Sequence, residues 1–140
     1  MTSPVHHVAV MFDASAAAER ALREAASIAD EHDAHLTVIS AVPHDRRRIG
    51  CAICSVRRTS WNRAMDEVAR ADLAKARALL GGREPEPRFH AVSGRGVSAV
   101  RQAALELGCH LLVVPGRRFW RRPKPLRPTA AAEMRDVEAS

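Results

Sequence analysis

The sequence predicts one α/β domain built on a doubly wound parallel sheet, and three observations predict it. Four short apolar runs of strand length alternate with three stretches of helical spacing. The connections between successive runs are long enough for helical crossovers, which parallel strands require and hairpins do not. The last run, Leu111-Leu112-Val113-Val114, is too continuously apolar for a sheet with one wet face and suits a sheet covered on both sides.

The first run, Val5 to Phe12, has the length and β-branching of a buried strand and ends in Asp13-Ala14-Ser15. The Ser15 hydroxyl can accept an orphan backbone N–H, so a helix starts there, and Glu19 favours its positive end. Ala18, Leu22, Ala25, Ala29 and His32 then share one helical face. A second strand runs from Leu36 to Val42 and is closed by Pro43. Residues 43–59 read as a loop carrying Gly50, Cys51, Cys54 and five arginines. A second helix is expected from Ser60, with Trp61, Met65, Val68, Ala71 and Leu79 on its inner face and Gly81-Gly82 as its stop. Residues 88–92 form a third strand, and Gly94-Arg95-Gly96 turns the chain into a third helix through Val97, Val100, Ala104 and Leu107, ended by Gly108. Cys109, just before the fourth strand at 110–115, reads as a small core residue.

A chain of 140 residues suits one such domain. Its 46% hydrophobic and 27% charged residues exclude a disordered polymer. No apolar run approaches the roughly 20 residues of a membrane span, and the first residues lack the pattern of a secretory leader. The expected location is the cytosol, where Cys51, Cys54 and Cys109 stay reduced and form no disulfide framework. The formal charge of +6 is concentrated in Arg117, Arg118, Arg121, Arg122, Lys124 and Arg127; without them, basic and acidic residues balance at 16 each. This separates a domain over 1–116 from a basic, proline-rich tail over 117–140, whose Thr129–Glu138 stretch can form a short helix. Phe119 and Trp120 lie among the tail arginines, so phosphate pairing with stacking on nucleic acid, or insertion at an acidic lipid surface, is one reading. A solvated tail whose aromatics pack on the sheet is the other.

The seven histidines are scattered and form no HExxH pattern, and neither a Gly-x-Ser-x-Gly elbow nor a complete Walker loop is present. The sequence reads as a non-enzyme. Cys51-Ala52-Ile53-Cys54 is a CxxC pair with three readings. Two sulfurs at this spacing can share a zinc ion, with His44 and Cys109 or His110 completing it. They can also form a redox pair whose thiolates the nearby arginines favour, or be ordinary loop cysteines.

The strand ending Phe12-Asp13-Ala14-Ser15, the helix after it, Leu36 to Pro43, the variable loop, the Gly94-Arg95-Gly96-Val97 turn and Leu111 to Gly116 resemble universal stress proteins in order and spacing over roughly 5–116. The resemblance implies a Rossmann-like sheet of the adenine nucleotide α-hydrolase kind and a regulatory domain of the stress response. It implies adenine nucleotide, with ATP a possible ligand, at the carboxyl edge of the sheet. It places Asp13 at the ribose, Ala41 at the adenine and Gly116 as first glycine of a phosphate loop spaced Gly-x2-Gly-x9-Gly-Ser/Thr. Phe119 stands at the second glycine and Thr129-Ala130 at the final pair, so backbone N–H groups cannot approach phosphate as that loop requires. Nucleotide binding is therefore expected to be weakened or lost, unless Arg117, Arg118, Arg121 and Arg122 pair with the phosphates directly. Without a ligand, Asp13 reads as a turn-forming residue beside Ser15. The resemblance also implies a fifth strand that pairs across a homodimer; no β-branched run after Pro128 supplies it, which leaves the dimer and any protein partner open.

Overall fold

In a computed structural model, the described residues are 5–46 and 50–116. The order is β1 (His7–Met11), α1 (Ala16–His32), β2 (His35–Val42), α2 (Ala52–Leu80), β3 (Arg88–Ser93), α3 (Gly96–Glu106) and β4 (Leu111–Val113). The strands pair in parallel in the order β3-β2-β1-β4. Starting from β1, the chain winds outward to β2 and β3 and then crosses back to β4 on the far side of β1. The expected doubly wound sheet is present, and its direction reverses between β1 and β4.

Alternate strand residues separate two cores. Val8, Val10 and Phe12 of the first strand region, Leu36 and Val38 of β2, and Leu111 and Val113 of β4 face α1, which presents Ala18, Leu22, Ala25 and Ala29; Ala76 of α2 joins this layer. On the other face, Ala9, Ile39, Leu112 and Val114 pack with Val100, Ala103 and Ala104 of α3, and Cys109 is fully buried among them. Every β4 residue is buried, as a sheet covered on both faces requires.

The caps of α1 are both made. Ser15 Oγ accepts the Ala18 N–H at 3.1 Å, and Asp33 closes the other end with a left-handed φ of 52° and its N–H on Ala29 and Asp30 oxygens. His32, expected on the inner face, is exposed at the last turn, and Ala21 and Ile28 take that face instead. At the β3–α3 turn, Gly94 has φ +138°, and a Cβ there would stand 2.7 Å from the Ala99 Cβ. Only glycine lets that turn fold against α3.

The largest correction concerns α2. It begins at Ala52, so Cys51 is its N-cap and Cys54 lies in its first turn rather than in a loop. The Thr59 hydroxyl donates to the Ser55 carbonyl across this early turn. The inner face runs through Ser55, Arg58, Asn62, Met65, Ala69, Leu73, Ala76 and Leu80 at helical spacing. Its first half is polar, so a search for apolar periodicity places the start too late. Of the residues expected to share one packed face, Trp61, Val68, Ala71 and Leu79 are exposed. The connection after α2 is anchored by Arg83, whose guanidinium reaches Asp30 Oδ1 at 2.6 Å and donates to the Ala26 carbonyl at 3.0 Å. No helix among the described residues is long and apolar enough to cross a membrane.

Candidate functional site

The carboxyl ends of β1, β2 and β4 meet at the reversal point, where an open α/β sheet leaves a crevice because the flanking helices lie on opposite faces. The chain leaves β1 through Phe12 and makes a tight turn. Asp13 Oδ1 accepts the Ser15 N–H at 3.0 Å, and Ala14 takes a positive φ of 63°. This Asx turn aims the start of α1, and its carboxylate stays exposed at the crevice. Gly116, beyond β4, has φ +71° and lies against the first turn of α1, with an added Cβ 4.0 Å from the Ala17 Cβ. Ala41, half-buried near the end of β2, lies one strand over. The fold thus brings Asp13, Ala41 and Gly116 to one edge of the sheet.

Two residues of α2 that sequence reasoning missed join this edge. Lys75 Nζ lies 3.3 Å from Glu19 and 3.5 Å from the Ala14 carbonyl, inside the reach of the turn. Asp72 has its carboxyl pKa raised, mainly by burial and then by the negative charge of Asp13, with Lys75 opposing. Neither residue carries a motif; only the placement of α2 over the start of α1 reveals them.

A second polar cluster fastens the segment after β2. His44 Nε2 lies 2.6 Å from Asp66 Oδ1, and its Nδ1 lies 2.9 Å from the Ser93 hydroxyl, which also accepts from Arg46 Nε at 3.0 Å. Asn62 bonds both backbone groups of Asp45, and Trp61 Nε1 donates to the Pro43 carbonyl at 3.1 Å. An open groove of about 580 Å³ runs beside this cluster, lined by Asp45, Arg46, Arg58, Thr59, Asn62, Arg63 and Asp66. The inward place of Asn62 on early α2 is explained by its two bonds to Asp45.

The amino edge of the sheet is lined with imidazoles. His7 Nε2 lies 2.6 Å from Thr37 Oγ1, His7 and His35 rings are 6.3 Å apart, and those of His6 and His110 are 5.5 Å apart. Burial, then the charge of Arg88 and the neighbouring histidines, pulls the His7 pKa down to about 4. His110 is lowered as well, by burial and His6.

The cysteines separate into two environments. Cys51 and Cys54 are exposed at the head of α2, whereas Cys109 is buried and its thiol pKa is pushed up to about 12. His44 is engaged with Asp66 and Ser93, Cys109 lies in the core and His110 stands against His6, so the expected zinc ligands do not converge on the CxxC pair. Among the described residues no group of three or more His, Cys, Asp or Glu side chains can hold a metal ion. Arg117, Arg118, Arg121 and Arg122, Phe119, Trp120 and the stretch 129–138 expected to be helical lie outside the described residues, as do Arg47 and Arg48.

The chain matches the family model for the universal stress protein family over residues 4–127. Among solved structures it is similar to the universal stress protein UspA from Lactobacillus plantarum, at 19% identity and a TM-score of 0.67, covering 80% of this chain and 77% of that one. It is similar to a universal stress protein family member from Burkholderia pseudomallei, at 23% identity and a TM-score of 0.61, covering 82% and 84%. A crystal structure of a universal stress protein in complex with cAMP is 25% identical, with a TM-score of 0.53 and coverage of 80% and 77%. No curated protein matches the sequence.

Proposed function

The chain belongs to the universal stress protein family, and on that premise we propose a regulatory, non-catalytic domain of the stress response with a nucleoside-binding half-site and an altered phosphate half. The observation that carries this reading is the meeting of the Asp13 turn, Ala41 and Gly116 at the reversal point of the sheet. A carboxylate held by an Asx turn at a strand end suits a ribose hydroxyl, such as the 2′-OH that cAMP keeps free, and a small half-buried residue on the next strand leaves room for a purine. Asp72 and Lys75 border the same turn and would tune its charge.

The phosphate half differs because Phe119 replaces a glycine whose backbone should approach phosphate closely. A triphosphate needs many such N–H groups, whereas the single phosphodiester of cAMP, the ligand in one similar structure, needs few. The reading therefore favours a nucleotide with one phosphate over ATP. Such a role belongs in the cytosol, where adenine nucleotides are available.

Calorimetric titration with cAMP and with Mg-ATP, on the natural chain and on Asp13→Ala, tests it. The expected result is heat with cAMP, weaker binding of Mg-ATP, and a loss of about tenfold in cAMP affinity in the variant. Absence of heat with both nucleotides, in protein shown by circular dichroism to be folded, overturns the reading.

A further inference from the structure

The head of α2 carries chemistry that the nucleotide reading does not use. Cys51 is the N-cap, with extended backbone at φ −109° and ψ 132°, and Cys54 follows three residues later in the first turn. Residues three apart are neighbours on a helix surface, so the two side chains share one edge of that turn. Both are exposed. The Cys51 sulfur closes no regular cap hydrogen bond. It is nevertheless faced by the Cys54 N–H, the Cys54 thiol and the Ile53 N–H, in that order of effect, and these lower its pKa. A thiolate there is also favoured by the positive end of a helix of 29 residues. Nothing among the described residues gathers a third metal ligand around the pair.

The geometry points to a dithiol–disulfide couple at the N-terminus of α2, in which Cys51 is the attacking thiol, Cys54 the resolving thiol, and a low-molecular-weight disulfide the oxidant. The Cys51 thiolate attacks one sulfur of R–S–S–R. That bond breaks, the first RS⁻ leaves with the electron pair, and a Cys51–S–S–R mixed disulfide remains. Cys54 releases its proton to solvent and attacks the Cys51 sulfur, expelling the second RS⁻. Both leaving thiolates take up protons, so the dithiol has passed two electrons to one disulfide, giving two thiols and a Cys51–Cys54 bond. Excess thiol runs the sequence backwards. The couple is independent of the nucleotide reading, because the reversal-point crevice uses none of these atoms.

Both cysteines fall in one tryptic peptide, residues 49–57, and Cys109 provides an internal control because it is buried and burial pushes its thiol pKa up. Brief alkylation of the native chain with iodoacetamide at neutral pH should label Cys51 on the order of tenfold faster than Cys54. Treatment with oxidised glutathione should leave the peptide two hydrogens lighter and closed to alkylation, with Cys109 untouched. In Cys54→Ser the reaction should stop at a glutathione adduct on Cys51, and in Cys51→Ser no closed peptide should form. Equal labelling of Cys51 and Cys54 overturns the assignment of roles. Separate glutathione adducts on both cysteines of the natural chain, without ring closure, overturn the couple itself, as does failure to oxidise. The alkylation and oxidation of the natural chain need no variant, and circular dichroism of both variants shows whether α2 is intact.

Discussion

Helices α1 and α2 pack on the same face of the sheet and differ in almost everything else. The shorter, α1, buries Ala18, Ala21, Leu22, Ala25, Ile28 and Ala29 within 17 residues and is capped at both ends. The longer, α2, fully buries only Ala69 and Ala76 within 29 residues and has no side-chain cap. All the large exposed hydrophobic side chains of the described residues, Ile53, Val56, Trp61, Val68 and Leu79, lie on α2. The difference teaches that helix length says little about contribution to the core. Small alanine faces let α1 sit close on the strands, whereas α2 is held by polar contacts at its ends and middle: Asn62 and Asp66 on the segment after β2, Lys75 on α1, and Arg83 beyond its stop.

The sharpest way to break this comparison is a matched pair of truncations. Leu22→Ala should cost about 3 kcal/mol in urea denaturation, because the buried leucine leaves a cavity between α1 and β1. Val68→Ala, at 52% exposure on α2, should stay within about 0.5 kcal/mol. A large loss at Val68 would mean that the outer face of α2 is covered in solution.

The strand under α1 supplies a second test. His7 has a folded pKa of about 4 against an ordinary 6.5, so the folded state holds it neutral while the unfolded chain takes up the proton more readily. Its contribution is complete above pH 6.5 and drains away as pH falls toward 4. Over that window about 2 kcal/mol should be lost, less than the full shift implies because His7 is only half-buried. Thermal melts at a series of pH values check this, and His7→Gln should flatten much of the slope.

The caps give the smallest effect. Ser15→Ala removes the acceptor for the Ala18 N–H and should cost about 1 kcal/mol. Cys51→Ser places a hydroxyl at the uncapped head of α2 and should raise stability by about 0.5 kcal/mol in the reduced protein. Opposite signs in chemical denaturation would confirm that one helix is capped and the other is not.

Much of this architecture was legible in the residues. The strand order along the chain, the Ser15 cap, the glycine turn at 94–96, the Gly81 stop and the buried Cys109 all rest on local chemistry. The candidate nucleoside edge was legible only by resemblance, since Asp13, Ala41 and Gly116 stand far apart in the chain. The start of α2 was not legible, because Ser55, Arg58 and Asn62 look like solvent-facing residues until their half-buried places, and the partner of Asn62, are known.

The sequence by itself determined the parallel sheet and its covered faces, because apolar runs, caps and glycine stops act over a few residues and do not depend on distant contacts. Tertiary structure decided where α2 begins, which of its sides faces inward, and that Cys51 sits at a helix N-terminus. It also brought Asp72 and Lys75 to the Asp13 turn. The physical reason is the same in each case: a polar side chain takes its inward or outward place from the partner it finds, and those partners, His44 and Asp45 after β2 and Ala14 and Glu19 at the start of α1, stand in place only after the sheet has assembled.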